Sequence, residues 1–167
     1  MTGRSALAGG RARIMRRHHL PAIAILEDDP ERVEHMRRVL KATLPTCELR
    51  FFAAAPDMIA WLGENLVRVV LISLDHDLDS IVPIARQVTD PGCGRDVADW
   101  IAAQIPICPV FVHTSNADAS LGMMRVLRDA EWPVNRVYPR SDVDWVTKEW
   151  ADDVRAFLRD GWIQLRF

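Results

Sequence analysis

The run Val69–Leu74 is apolar apart from Ser73, and it stops abruptly on Asp75-His76-Asp77. A second run, Pro109–Val112, stops in the same way on His113-Thr114-Ser115-Asn116. Continuous Val/Ile/Leu runs of this length are how strands buried on both faces read, and such strands belong to parallel sheets covered by helices. In open α/β sheets the ligand crevice lies just beyond the carboxyl ends of the strands. Two strands that end in ionisable and hydrogen-bonding side chains therefore bring carboxylates and imidazoles toward one crevice. That arrangement suits phosphate or metal chemistry.

The rest of the chain supplies the alternation such a sheet needs. Ala22–Leu26 reads as the first strand. Pro30 follows where a first-turn proline is tolerated, and Val33, Met36, Val39 and Leu40 share one helical face until Pro45. Glu48–Ala53 is a second strand, and Ala55–Leu66 a helix with Met58, Ile59 and Leu62 as its stripe. After Val69–Leu74 comes a long connection, Asp79–Gly92, whose length marks it as a candidate lid or binding loop. Arg95–Gln104 is a helix with Val97, Trp100 and Ile101 inward. Ala117–Ala130 is another, with Leu121, Met124, Val126 and Leu127 as core candidates. Asn135–Tyr138 is the fifth strand. Asp144–Asp160 is a final helix bearing Trp145, Trp150, Val154, Phe157 and Leu158, and Trp162–Phe167 is an extra strand or an ordered tail. Right-handed crossovers then predict a three-layer α/β/α sandwich around a five-stranded parallel sheet of order 2-1-3-4-5.

A length of 167 residues, 49% of them hydrophobic, suits one domain with a real core. No apolar run approaches the roughly 18 residues of a membrane span, and residues 1–19 lack the apolar segment of a secretory signal. Cys47, Cys93 and Cys108 are odd in number and lack metal-ligand spacing, which predicts reduced thiols and a cytoplasmic setting. Residues 1–19 carry Arg4, Arg11, Arg13, Arg16 and Arg17 and no acid, leaving 16 basic against 23 acidic residues in the remainder. The expected division is a basic, flexible tail over 1–20 and one domain over 21–167. The tail could attract RNA or an acidic partner, while the acidic body does not look like a dedicated nucleic-acid surface. The six tryptophans read as core and interface packing, and those of the last helix would permit a dimer, although the sequence does not show the oligomeric state.

In order along the chain, Ile25-Leu26-Glu27-Asp28-Asp29-Pro30, Leu71-Ile72-Ser73-Leu74-Asp75 and Pro109-Val110-Phe111-Val112-His113-Thr114-Ser115 resemble a response-regulator receiver domain. The resemblance covers roughly Ala22–Asp160 and implies a flavodoxin- and receiver-like fold. It also implies a phospho-acceptor role for Asp75 and places Thr114 at the receiver hydroxyl position. Three features depart from that pattern. Tyr138-Pro139-Arg140 stands where a receiver carries its lysine. Asp77 adds a carboxylate beside His76, and the loop after the third strand is expanded by Ser80–Pro91. The departures are similar to a divergent branch, the cyclic-phosphate-processing receiver family. They lie in Leu74-Asp75-His76-Asp77-Leu78, Gly94-Arg95-Asp96-Val97-Ala98 and Val112-His113-Thr114-Ser115-Asn116.

The chemistry follows residue by residue. Glu27, Asp28, Asp75 and Asp77 are candidate ligands for Mg²⁺ or another divalent metal, because crowded carboxylates either bind a cation or raise one another's pKa. Asp28 and Asp29 also read as a simple helix start. Asp75, His76 and His113 are the catalytic candidates, the imidazoles as acid and base near neutral pH. Thr114, Ser115, Asn116 and Arg140 are the phosphate-binding candidates. The three strand-end residues also read as a helix N-cap, and a helix N-terminus is itself an anion site. The reading is a domain that binds or processes a cyclic phosphate, on a nucleotide or at an RNA 2′,3′-cyclic end. The alternative is an atypical receiver or phosphorylation-independent adaptor acting through a protein partner. No membrane partner is expected.

Overall fold

A computed structural model describes residues 20–79, 90–140 and 142–160. The basic tail, most of the Asp79–Gly92 connection and the Trp162–Phe167 segment lie outside the described residues.

Five strands carry the structure: β1 (Ala22–Leu26), β2 (Glu48–Phe52), β3 (Val69–Leu74), β4 (Val110–Val112) and β5 (Val134–Arg136). They pair in parallel in the order β2-β1-β3-β4-β5, as the alternation predicts. The three central strands are almost wholly buried, which is why they read as unbroken apolar runs. The edge strand β2 is only half-buried and keeps charges at its rim, where Glu48 pairs with Arg50 and Arg68 at 2.7 Å each. Charged edges discourage pairing with another sheet.

Helices α1 (Pro30–Thr43), α2 (Ala55–Asn65), α3 (Gly94–Ala102), α4 (Ala117–Asp129) and α5 (Ala151–Arg159) cover the sheet. Strand alternation sorts the core into two layers. Ala24, Leu26, Ile72, Leu74, Val110 and Val112 point to one side, against Met58 and Leu62 of α2, Val97 and Ile101 of α3, and Met123 and Leu127 of α4. Ile23, Ile25, Leu71 and Phe111 point to the other, against Met36 and Leu40 of α1, Trp150 and Val154.

Two local expectations need correction. Leu121, expected in the core, is 60% exposed, and the inward stripe of α4 is Ser120, Met123, Met124 and Leu127. Helical spacing of three and four from Ser120 fixes that face, and Leu121 falls one step off it. The final helix is also not uniform. Asp144 and Trp145 are helical, Val146–Trp150 is a π-helical segment, and α5 continues from Ala151. Such segments are rare and tend to occur at functional sites.

Candidate functional site

The site follows from the register of three strands. Ile25 of β1 lies opposite Ser73 of β3, and Ser73 opposite Phe111 of β4. Two residues further along each strand, on the same face, stand Glu27, Asp75 and His113. The ladder continues past the strand ends to hold them, with Glu27 N–H donating to Phe52 O (2.9 Å), Asp75 N–H to Leu26 O (3.0 Å) and His113 N–H to Leu74 O (2.9 Å). The three side chains thus form one row across the sheet, facing the layer of α1 and α5. All three residues are buried, Glu27 at 2% exposure, Asp75 at 4% and His113 at 0%.

Their contacts are specific. Arg32, from the first turn of α1, reaches Glu27 Oε1 and Asp75 Oδ2 at 3.2 Å each. It joins the two carboxylates and offsets part of their repulsion. Glu27 Oε1 also accepts the Asp29 N–H (3.0 Å), and Asp75 Oδ1 accepts the His76 N–H (2.6 Å). Glu27 Oε2 faces His113 Nε2 at 3.3 Å, yet neither atom makes a hydrogen bond. One ligand atom from each of Glu27, Asp75 and His113 lies within 4.8 Å of the others. Burial, together with the nearby Glu27 carboxylate, raises the Asp75 pKa above its ordinary value despite His113 and Arg32.

The other side of the imidazole is anchored. Ser73 Oγ lies 2.8 Å from His113 Nδ1 and accepts the Trp150 Nε1–H at 3.1 Å. Trp145 stacks on the ring with centroids 5.8 Å apart. The π-helical segment explains how one helix supplies both tryptophans. At 3.6 residues per turn, positions five apart point about 140° away from each other. In a segment bonded from i to i+5 they approach the same face, and Trp145 and Trp150 are both buried.

The remaining candidates sit around this row. Asp28 Oδ2 accepts the Asp79 N–H (2.5 Å), and Asp29 caps α1 through Glu31 N–H and Arg32 N–H. His76 is mostly covered and its Nδ1 lies 2.8 Å from Oδ1 of the exposed Asp77. Among the described residues, no hydrogen bond or ion pair joins His76 to His113. Thr114 is buried and its Oγ1 accepts the Asn116 N–H (3.2 Å), Ser115 is exposed, and Asn116 caps α4 through the Ala119 N–H (3.1 Å). Arg140 is exposed and pairs with Glu149 at 2.9 Å. Sequence reasoning did not single out Arg32. It read Trp145 and Trp150 as packing and Ser73 as an isolated polar residue. Counting in twos from Ser73 to Asp75, with the strands in register, was the signal that links them.

A parallel five-stranded sheet with an acidic, histidine-bearing cluster at its carboxyl edge defines a receiver-like α/β domain. Solved structures agree on the fold. The phosphorylated cyanobacterial phytochrome response regulator RcpA aligns with a TM-score of 0.62 at 17% identity, covering 89% of this chain and 97% of that one. The Mn²⁺-bound response regulator Rcp1 aligns at 0.57 and 22% identity, covering 88% and 97%. A CheY-like receiver domain protein from Methanospirillum hungatei aligns at 0.57 and 15%, covering 85% and 99%. No curated protein matches the chain in sequence. The cyclic-phosphate processing receiver domain model matches residues 23–129, and the chain belongs to that family. No described helix is long and apolar enough to cross a membrane.

Proposed function

We propose that the crevice over β1, β3 and β4 binds a divalent cation and the phosphate of a cyclic-phosphate ligand, and hydrolyses it. The observation that carries this reading is the pair of buried, unbonded atoms Glu27 Oε2 and His113 Nε2, with the Asp75 carboxylate beside them. Buried polar atoms are nearly always satisfied, so two that face each other without a bond mark a place made for a third party. Glu27, Asp75 and His113 fit a cation in charge and donor type. When bound, it would supply positive charge to the phosphate oxygens. The family's name supports a cyclic phosphate as the ligand, and the Mn²⁺-bound Rcp1 supports a metal in a fold of this kind.

The chain's own residues then divide the work. The first N–H groups of α4, with Ser115, face an incoming anion as a helix N-terminus does. His113 is wholly enclosed, which suits holding a cation and not exchanging protons with water. His76 keeps some access to solvent, and Asp77 at its Nδ1 orients the ring, leaving Nε2 for acid–base work. A water oxygen would attack phosphorus, one ring P–O bond would break, and the released ribose oxygen would take a proton to give a phosphomonoester. Conventional phosphoryl acceptance at Asp75 fits less well, because the residue is 4% exposed and both its oxygens are engaged.

The test is hydrolysis of a panel of nucleoside 2′,3′-cyclic phosphates and cyclic-ended RNA, with and without Mn²⁺. Turnover is expected, reduced by about 10²–10⁴-fold in His76→Ala if that imidazole moves the proton, with circular dichroism unchanged. No turnover across the panel would overturn the catalytic reading.

A further inference from the structure

We infer that the crevice selects a transition cation, Co²⁺ or Mn²⁺, over Mg²⁺, through Nε2 of His113, and that Ser73 positions that imidazole. This rests on the reading of the crevice as a cation site, and deepens it by naming the ion class and the residues that choose it.

The donor set is the first argument. Glu27 Oε1 is already taken by Arg32 and the Asp29 N–H, and Asp75 Oδ1 by the His76 N–H. The two unpartnered atoms facing the centre are Glu27 Oε2 and His113 Nε2, and an Asp75 oxygen joins them while already accepting one bond, Oδ1 from the His76 N–H and Oδ2 from Arg32. Neighbouring ligands at about 2.1 Å from one ion stand about 3.0–3.4 Å apart, and Glu27 Oε2 and His113 Nε2 already stand 3.3 Å apart. The Asp75 oxygen, within 4.8 Å of both, then needs to close by at most about 1.5 Å, within reach of a side-chain rotation. Mg²⁺ favours an all-oxygen donor set and sheds its waters reluctantly, whereas transition cations accept an imidazole nitrogen more readily, Co²⁺ more than Mn²⁺. Arg32 acts in the same direction. Its guanidinium neutralises one of the two carboxylate charges, so the site offers less of the bare negative charge on which a hard cation depends.

The second argument concerns the imidazole's far side. Ligation through Nε2 requires the ring proton on Nδ1 and a partner to receive it. Ser73 Oγ stands there at 2.8 Å. Indole is a donor only, so Trp150 Nε1–H at 3.1 Å occupies one lone pair of that oxygen and leaves the other for Nδ1–H. Trp145 lies over the ring and holds its plane. Ser73, Trp150 and Trp145 have no carboxylate or other ligand chemistry of their own. Their arrangement has a purpose if Nε2 must point at Glu27.

The experiment measures Mg²⁺, Mn²⁺ and Co²⁺ binding to the full chain by tryptophan fluorescence and by thermal shift, without substrate. Trp145 and Trp150 beside the ligand imidazole make fluorescence a direct reporter, because Mn²⁺ and Co²⁺ quench nearby indoles. Wild type should bind Mn²⁺ and Co²⁺ well below the Mg²⁺ concentration that gives the same shift. His113→Asn should bring the three midpoints together. Ser73→Ala should weaken Mn²⁺ by about 10–100-fold, the usual cost of losing a partner of a metal-bound imidazole, and Ser73→Thr should restore most of it. Equal Mg²⁺ and Mn²⁺ midpoints in wild type would overturn this inference and leave the cation site standing. No response to any of the three ions would overturn both. If His113→Asn does not fold, the wild-type ratio and the Ser73 pair decide alone. Full Mn²⁺ affinity in Ser73→Ala would remove Ser73 from the role.

Discussion

Gly94, the first residue of α3, is pressed against the carbonyl of Asp75. A Cβ built on it would overlap that oxygen and come within 3.0 Å of the His76 Cα. The Gly94 N–H donates to His76 O at 3.1 Å, so the approach is also a bond. The start of α3 thus fixes the backbone of the residues that follow β3, and a glycine makes the contact possible.

Gly94→Ala must therefore move either α3 or the Asp75–His76 backbone. Overpacking of this kind typically costs about 1–3 kcal/mol and sometimes more. Gly63, exposed within α2, has nothing within 4 Å of its would-be Cβ. Gly63→Ala should stabilise by roughly 0.5–1 kcal/mol, through helix propensity. Urea unfolding of the two variants should give shifts of opposite sign.

Asp75 should cost the protein stability at neutral pH. Its pKa is raised, chiefly by burial, so the native state holds this proton to a higher pH than the unfolded chain does. The contribution is most favourable below the unfolded value of about 3.9 and is lost as pH rises through the folded value. With chelator present, Asp75→Asn should melt higher than wild type at pH 7, and the gap should narrow as pH falls toward 4. Parallel melting temperatures across that range would refute the assignment.

Asn116 joins the row of strand ends to α4 by capping it through the Ala119 N–H. Asn116→Ala should lose about 1 kcal/mol, and Asn116→Ser most of that loss should spare. If phosphate docks at this helix start, inorganic phosphate should raise the melting temperature of wild type and do less for the alanine variant.

Cys108 is 3% exposed, and burial drives its thiol pKa upward. Half-buried Cys47 is pushed to about 11 by the same cause. At pH 8 neither is appreciably thiolate, the form that reacts. A thiol reagent should leave Cys108 unmodified until denaturant is added and label Cys47 slowly. Prompt labelling of Cys108 in native protein would show that this part of the core opens.

Much of this was legible because the central strands have no choice of reading. Val69–Leu74 and Ala22–Leu26 keep their sequence-derived bounds in the structure, since a run buried on both faces ends where polar residues begin. Glu27, Asp75 and His113 were visible for the same reason. Their mutual contact depends on register, which pairs Ser73 with both Ile25 and Phe111 and which no single strand encodes. Arg32 escaped notice because its role depends on where α1 begins relative to β3. Leu121 misled because hydrophobicity alone does not set the phase of a helix, and Ser120 lies inward in its place. The hydrogen bond from Trp150 to Ser73 spans 77 positions and crosses from helix to sheet, so spacing carried no trace of it.

The wide turn at Val146–Trp150 has the arithmetic of an insertion. Deleting Thr147 alone would return the helix to ordinary pitch with Trp145 and Trp150 four positions apart, about 40° from each other and still on one face. Adding a residue would set them six apart, about 120° from each other at ordinary pitch, and one tryptophan would then leave the imidazole or the other would leave Ser73. The residues between them contribute no side chain to the row of strand ends, and Thr147 and Lys148 are exposed. What this stretch contributes is its count. Substitutions at 147 and 148 should be tolerated freely, and so should the loss of one residue here, while an added residue should not be.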